Sequence, residues 1–225
     1  MIARAAIEAM RAREVARFIA ANPKSHAQSK ASTGWFQGVP FHWMLDWSSP
    51  FPIVAQSAKG ATLTSIDGQV FDDFCLGDTA SMFGHSPQPL VDALTGQAGQ
   101  GLSYMLPTSK GADVGDMLTA MFGLPQWQVT TTASEANRAV IRWCRGLTGR
   151  DKILIFNGCY HGAVDDVFVD LRDGRAVNRP SLIGQVQDLL PTTVAIEFND
   201  VEALEVELRG GEIACVLAEP VMTNI

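Results

Sequence analysis

Four cysteines, Cys75, Cys144, Cys159 and Cys215, are scattered through 225 residues with no CxxC pair among them. That spacing offers neither a disulfide framework nor a zinc site, and it reads as reduced thiols in an intracellular protein. No apolar run is long enough to cross a membrane. Arg4, Glu8, Arg11, Arg13 and Glu14 interrupt the first stretch, so it is no secretory h-region, and a cytoplasmic location is expected. Basic charge is in short supply. The formal net charge of −7 argues against a nucleic-acid or anionic-membrane partner. It leaves room for a phosphate, because a local nest of N–H groups binds one against the global charge. Neither a GxGxxG nor a Walker pattern is present, so a generic nucleotide-binding α/β domain is a weak reading. No arginine falls between Arg17 and Arg138, and there are only two tyrosines.

What is present alternates between strands and helices. Residues 3–20 are predicted to form an amphipathic helix (Ile7, Met10, Val15, Phe18 and Ile19 on one face) that stops at Asn22-Pro23. Residues 34–52 form an irregular segment rich in large rings, which are expected to cover a cleft or an interface, with His42 packed among them. Residues 60–75 read as a hairpin turning at Asp67-Gly68, so Asp67 is a turn residue and not a catalytic acid. Asp72 and Asp73 would face opposite ways on the return strand. His85 is expected to be a structural histidine at a helix entry. Helices are predicted over 88–98 and 111–122. Later come strands at 167–169, 194–196 and 213–218, a helix capped by Asn199-Asp200, and a surface excursion over 171–191.

The chain is organised around Thr130-Thr131-Thr132-Ala133-Ser134-Glu135-Ala136-Asn137. Trp127, Gln128 and Val129 before it read as the end of a strand. Ala136, Val140, Ile141, Trp143, Cys144 and Leu147 after it recur at helical spacing, and Ser134 is predicted to cap that helix. A strand, a hydroxyl-rich turn and a helix N-terminus make an anion site. A plainly capped helix has nearly the same pattern, and on pattern alone it is the commoner case. Glu135 suits the helix dipole but repels a phosphate unless it points away.

A second stretch, Asp151 to Gly162, decides between them. There a buried strand runs into a Gly-bounded turn carrying Tyr160 and His161. Thr132-Ala133-Ser134-Glu135-Ala136-Asn137, then Thr148-Gly149-Arg150, then Tyr160-His161-Gly162 resemble, in order, the Ser-Gly-Thr-Glu-Ala-Asn, Thr-Gly-Arg and Tyr-His-Gly motifs of the class III aminotransferases. These are fold-type I enzymes that use pyridoxal 5′-phosphate (PLP). The likeness runs from about Phe51 onward. It is strongest to the glutamate-1-semialdehyde aminomutase and β-amino-acid aminotransferase branch.

The resemblance implies an α/β fold: a mostly parallel mixed sheet with helices on both faces over 88–225, preceded by an N-terminal helix and hairpin segment over 1–87. Ser134, Tyr160 and Glu219 each follow a predicted strand, which is where such sheets bind ligands. By resemblance, Thr132, Ala133 and Ser134 hold the phosphate of PLP, Tyr160 stacks on its ring, His161 supports ring or phosphate, and Glu219 of Glu219-Pro220 borders cofactor and substrate. Ala133 stands where the family usually has Gly. The family's substrate-carboxylate arginine has no counterpart in 34–52, where the alternatives are His42, Trp43 or a later Arg outside this chain. The family's Schiff-base lysine and pyridinium-binding Asp follow the Glu-Pro motif. None of Lys24, Lys30, Lys59, Lys110 and Lys152 has that lysine's context, so no catalytic residue is assigned here. The chain is expected to be the N-terminal portion of a longer homodimeric enzyme. That enzyme would move an amino group between a small-molecule amino donor and a carbonyl acceptor. The alternative is a truncated homologue that folds or dimerises without cofactor.

Overall fold

The computed structural model describes residues 3–31, 33–180 and 182–223. The chain forms two units, residues 1–107 and 108–225.

The first unit opens with helix α1 (Arg4–Ala21), which ends where the Asn22 side chain donates to the Phe18 carbonyl at 2.9 Å. A second helix, α2 (Pro23–Ala31), follows at once, with proline at its first position, where no N–H is needed. The prediction stopped at Pro23, but a proline that ends one helix is also well suited to begin another. The Asp67 carboxylate accepts from Lys24 N at 2.7 Å, Ser25 N at 3.1 Å and Ser25 Oγ at 2.5 Å. The turn acid therefore caps α2 from 42 residues away.

Strands β1 (Ala55–Lys59), β2 (Thr62–Ser65) and β3 (Val70–Asp72) form an antiparallel sheet in that order, one strand more than the predicted hairpin. Asp73 lies just past β3, where its carboxylate accepts from Cys75 N and Leu76 N and meets His85 Nε2 at 2.7 Å. His85 is thus a structural partner. Phe51 is buried between Phe18 and the stacked ring of His26. The other rings of 34–52 behave differently from expectation: Trp35, Phe36, Phe41, Trp43 and Trp47 are exposed on this unit, and so is His42. That segment contains two 3-10 turns, Phe36–Gly38 and His42–Leu45. Helix α3 (Gln88–Ala98) completes the unit.

The second unit begins with α4 (Ser109–Phe122), closed by Gly123 at φ +71°. Residues 127–129 are not a strand, and Val129 is 79% exposed. A strand needs a hydrogen-bonded neighbour, and among the described residues none runs beside it. Helix α5 (Ala133–Thr148) leads into β4 (Lys152–Phe156), the centre of the unit. The predicted strand at 167–169 and the excursion after it contain a 3-10 turn (Asp165–Val167) and an antiparallel hairpin of β5 (Val169–Arg172) and β6 (Arg175–Asn178). Strand β7 (Thr193–Ile196), helix α6 (Val201–Arg209) and strand β8 (Ile213–Leu217) follow. The sheet order is β7-β4-β8, parallel throughout.

Successive side chains of a strand point to opposite faces, and β4 uses both. Ile153 and Ile155 enter a core with Ile141 of α5, Val164, Val167, Val169 and Leu189. Leu154 and Phe156 enter a second core with Ile196, Ile213 and, from α6, Ala203 and Leu204. Helices therefore cover both faces of a parallel sheet, as expected. Among the described residues no helix is long and apolar enough to cross a membrane.

Candidate functional site

At the carboxyl end of β4 the chain turns through Asn157, Gly158 and Cys159 to Tyr160, His161 and Gly162. Asn157 anchors the start of the turn: its Oδ1 accepts from Leu171 N at 2.9 Å and its Nδ2 donates to Glu197 at 3.0 Å. Three side chains then grip the main chain of the next four residues. Glu219, just past β8, accepts from Tyr160 N at 3.1 Å. Asn137 of α5 donates to the His161 carbonyl at 3.0 Å. Ser134 Oγ, in the first turn of α5, accepts from Ala163 N at 3.0 Å.

Gly162 makes this closeness possible. Its φ is +81°, and a Cβ at that position would overlap the Ser134 hydroxyl and come within 3.3 Å of Ser134 Cα. Only glycine takes this conformation without strain and leaves room for α5.

The cap of α5 is Thr132 and not Ser134. Thr132 Oγ1 accepts from Glu135 N at 3.2 Å, while the Glu135 carboxylate reaches back to Thr131 N at 3.0 Å. This is a capping box displaced by one residue. The Thr131 hydrogen bond, chiefly, holds the Glu135 carboxyl below its ordinary pKa. Ser134 is drawn away from capping because Ala163 occupies its hydroxyl. The N–H groups of Ala133 and Ser134 lie in the first turn, where no intrahelical acceptor exists.

His161 is 6% exposed. Its Nε2 is buried with no hydrogen-bond partner among the described residues. Burial pushes the imidazole below its usual pKa, although Glu219 and the Leu217 carbonyl pull the other way. Burial also acts on Glu219, pushing its carboxyl up. Hydrogen bonds from Thr223 and Tyr160 and the nearby His161 outweigh that, and its pKa lies below the ordinary value. Tyr160, in contrast, turns its ring outward, 57% exposed.

The structure thus joins Ser134, Tyr160, His161 and Glu219 at one end of the sheet, beside Thr132 and Ala133. Asn137 and Thr223, which donates to Glu219 at 2.5 Å, belong to the same cluster but were not assigned from the sequence. Asn137 was readable, being one helical turn from Ser134. Lys152 stands at the opposite end of β4, paired with Glu212 at 2.7 Å.

Residues 44–225 match the family model of the class-III aminotransferases. The chain belongs to that family. A glutamate-1-semialdehyde 2,1-aminomutase from Methanosphaera stadtmanae is 37% identical over 179 residues, which are 78% of this chain and 42% of that protein. A crystal structure of a glutamate-1-semialdehyde aminomutase from Pseudomonas aeruginosa PAO1 superposes with a TM-score of 0.92 at 44% identity, covering 99% of this chain and 50% of that one. A second structure of that enzyme, with the same TM-score and identity, is in complex with PMP. A β-phenylalanine aminotransferase from Variovorax paradoxus aligns with a TM-score of 0.78 at 27% identity over 95% of this chain. The chain spans about half the length of the relatives it matches.

Proposed function

We propose that this chain supplies the phosphate- and ring-holding half of a PLP site in a class-III enzyme. That enzyme moves an amino group between an amine or amino acid and a carbonyl compound. The observation that carries the reading is the spare hydrogen-bonding capacity gathered at the carboxyl ends of β4 and β8. The Ala133 and Ser134 N–H groups sit at the positive end of a 16-residue helix. The Thr132 and Ser134 hydroxyls accept hydrogen bonds within the chain and so keep their own protons to donate. Beside them lie an outward Tyr160 ring and a buried, unpartnered His161 nitrogen. A phosphorylated pyridine fits this set. Glu135 occupies one N–H that a phosphate would otherwise use.

PLP, when bound, acts as an electron sink for amino-group chemistry. The residues here have positioning roles. The first turn of α5 holds the phosphate, and Tyr160 lies against the ring and excludes water from one face. His161 Nε2 offers a buried polar atom that a group of the cofactor would pair with. The lysine of the reaction is none of the five in this chain, and the enzyme works as a cytoplasmic homodimer.

The test is equilibrium PLP binding to the purified protein, followed by fluorescence quenching, for wild type and for the double variant Ser134→Ala, Tyr160→Ala. We expect saturable wild-type binding that the double variant loses. Equal binding by both would leave only lysine-directed adducts and would remove the reading in favour of a non-catalytic homologue. Borohydride reduction and mass analysis then show which lysine, if any, is modified.

A further inference from the structure

We propose that Glu219 is a positioning residue that holds the Tyr160 turn in its ligand-ready shape through the main chain, without itself contacting the cofactor. The inference rests on the PLP reading above and assigns one residue of that site a different task. Both carboxylate oxygens are already engaged. Oε2 accepts the Tyr160 N–H at 3.1 Å across 59 residues of sequence, and Oε1 accepts the Thr223 hydroxyl at 2.5 Å. The other two grips on the turn, Ser134 to Ala163 and Asn137 to His161, both come from α5. Glu219 is the hold from the β8 side, and it acts on the residue that carries the ring. The Tyr160 side chain makes no hydrogen bond among the described residues, so its direction is set by its main chain and not by its phenol. Thr223 completes the device by fixing the carboxylate's second oxygen. A carboxylate held by two donors has a set orientation, and a charge-assisted bond of this kind is stronger than a neutral one.

Hydrogen bonding and charge separate cleanly here. In Glu219→Gln the amide oxygen still accepts from Tyr160 N, and the amide NH2 donates to the Thr223 oxygen. The bracket survives while the charge is gone. Glu219→Ala removes both. The measurement is amide hydrogen exchange across residues 158–164 in the ligand-free protein, paired with the PLP dissociation constant. For Glu219→Ala we expect Tyr160 exchange to rise about tenfold and PLP affinity to fall about tenfold, in keeping with loss of a hydrogen bond to a charged group. Glu219→Gln should change either quantity less than about threefold on the same scale. Thr223→Val, which leaves the Tyr160 bond in place, should fall between them, so the proposal stays testable even if the alanine variant fails to fold.

A glutamine variant that loses as much PLP affinity as the alanine variant would overturn the proposal, because the charge would then act on the ligand. Unchanged Tyr160 exchange in Glu219→Ala would overturn it as well. Wild-type protein that takes up no PLP sinks the functional reading alone, and the exchange rates still judge the bracket.

Discussion

The two ends of β4 are built in opposite ways. At the amino end, long charged side chains pair with one another and with main-chain carbonyls. Lys152 pairs with Glu212, Arg150 donates to the Ile213 carbonyl at 2.9 Å, and Arg145 bonds the Asp151 carbonyl and Asp166. One nitrogen there, Arg145 Nη2, is left over from a guanidinium already held twice. At the carboxyl end, shorter polar side chains grip the main chain of the turn and leave unspent an aromatic ring, two hydroxyl protons and a buried imidazole nitrogen. Charge is plentiful at the amino end. What marks the proposed site is unspent hydrogen-bonding capacity held by a hydrogen-bonded turn.

The contrast is broken most severely from the middle. Ile155→Ala removes a fully buried side chain of the strand both ends share. It should cost about 2–5 kcal/mol in urea denaturation. A loss under about 1 kcal/mol would mean that no tightly packed strand joins the two ends.

Next in size is a pair of glycines, one beside each end of β4. Gly149 closes α5 at φ +68° with nothing within 4 Å of a built Cβ, so Gly149→Ala should cost only the left-handed backbone penalty, about 1–2 kcal/mol. Gly162→Ala adds a collision with Ser134 to the same penalty and should cost about 2–4 kcal/mol while abolishing PLP binding. Equal losses would deny that α5 presses on the turn.

The ends should also answer to opposite directions of pH. The folded-state pKa of His161 is depressed, so the unfolded chain takes up the proton first. Its contribution is therefore full above about pH 6.5 and is lost as the pH falls toward the lower folded value. The pKa of Lys152 is raised, first by its hydrogen bond to Glu212. Its contribution is full below about pH 10.4 and is lost as the pH climbs. Urea midpoints measured across pH should lose their slope just below 6.5 in His161→Asn and keep it in Lys152→Met. The smallest effect is Lys152→Met itself near neutrality, where an exposed ion pair should leave the midpoint unmoved.

Much of the second unit was legible because β4, β7 and β8 are short apolar runs between turn signals and α5 has clear helical spacing. Of the proposed site residues, Tyr160 and Glu219 follow strand ends as expected, whereas Ser134 follows no strand because residues 127–129 form none. What escaped depends on distant partners. Three consecutive threonines and Ser134 all qualify as caps by type. The choice of Thr132 is made by the Ala163 N–H, 29 residues from Ser134. Residues 127–129 have the composition of a strand but, among the described residues, no neighbour to pair with. The β5–β6 hairpin was available to the rule already applied at Asp67-Gly68. Asp173 and Gly174 both have positive φ, at 51° and 71°, as a tight primed turn requires. The surrounding Arg, Gly and Pro hid it. Thr223 gave no local signal at all.

The grip of Ser134, Asn137 and Glu219 on peptide groups alone has an evolutionary consequence. The scaffold of the turn does not depend on which side chain residue 160 carries. Drift or design can exchange that ring for another without rebuilding the loop beneath it. The same mounting is open to different chemistries, provided the clamping hydrogen bonds and the glycine at 162 are kept.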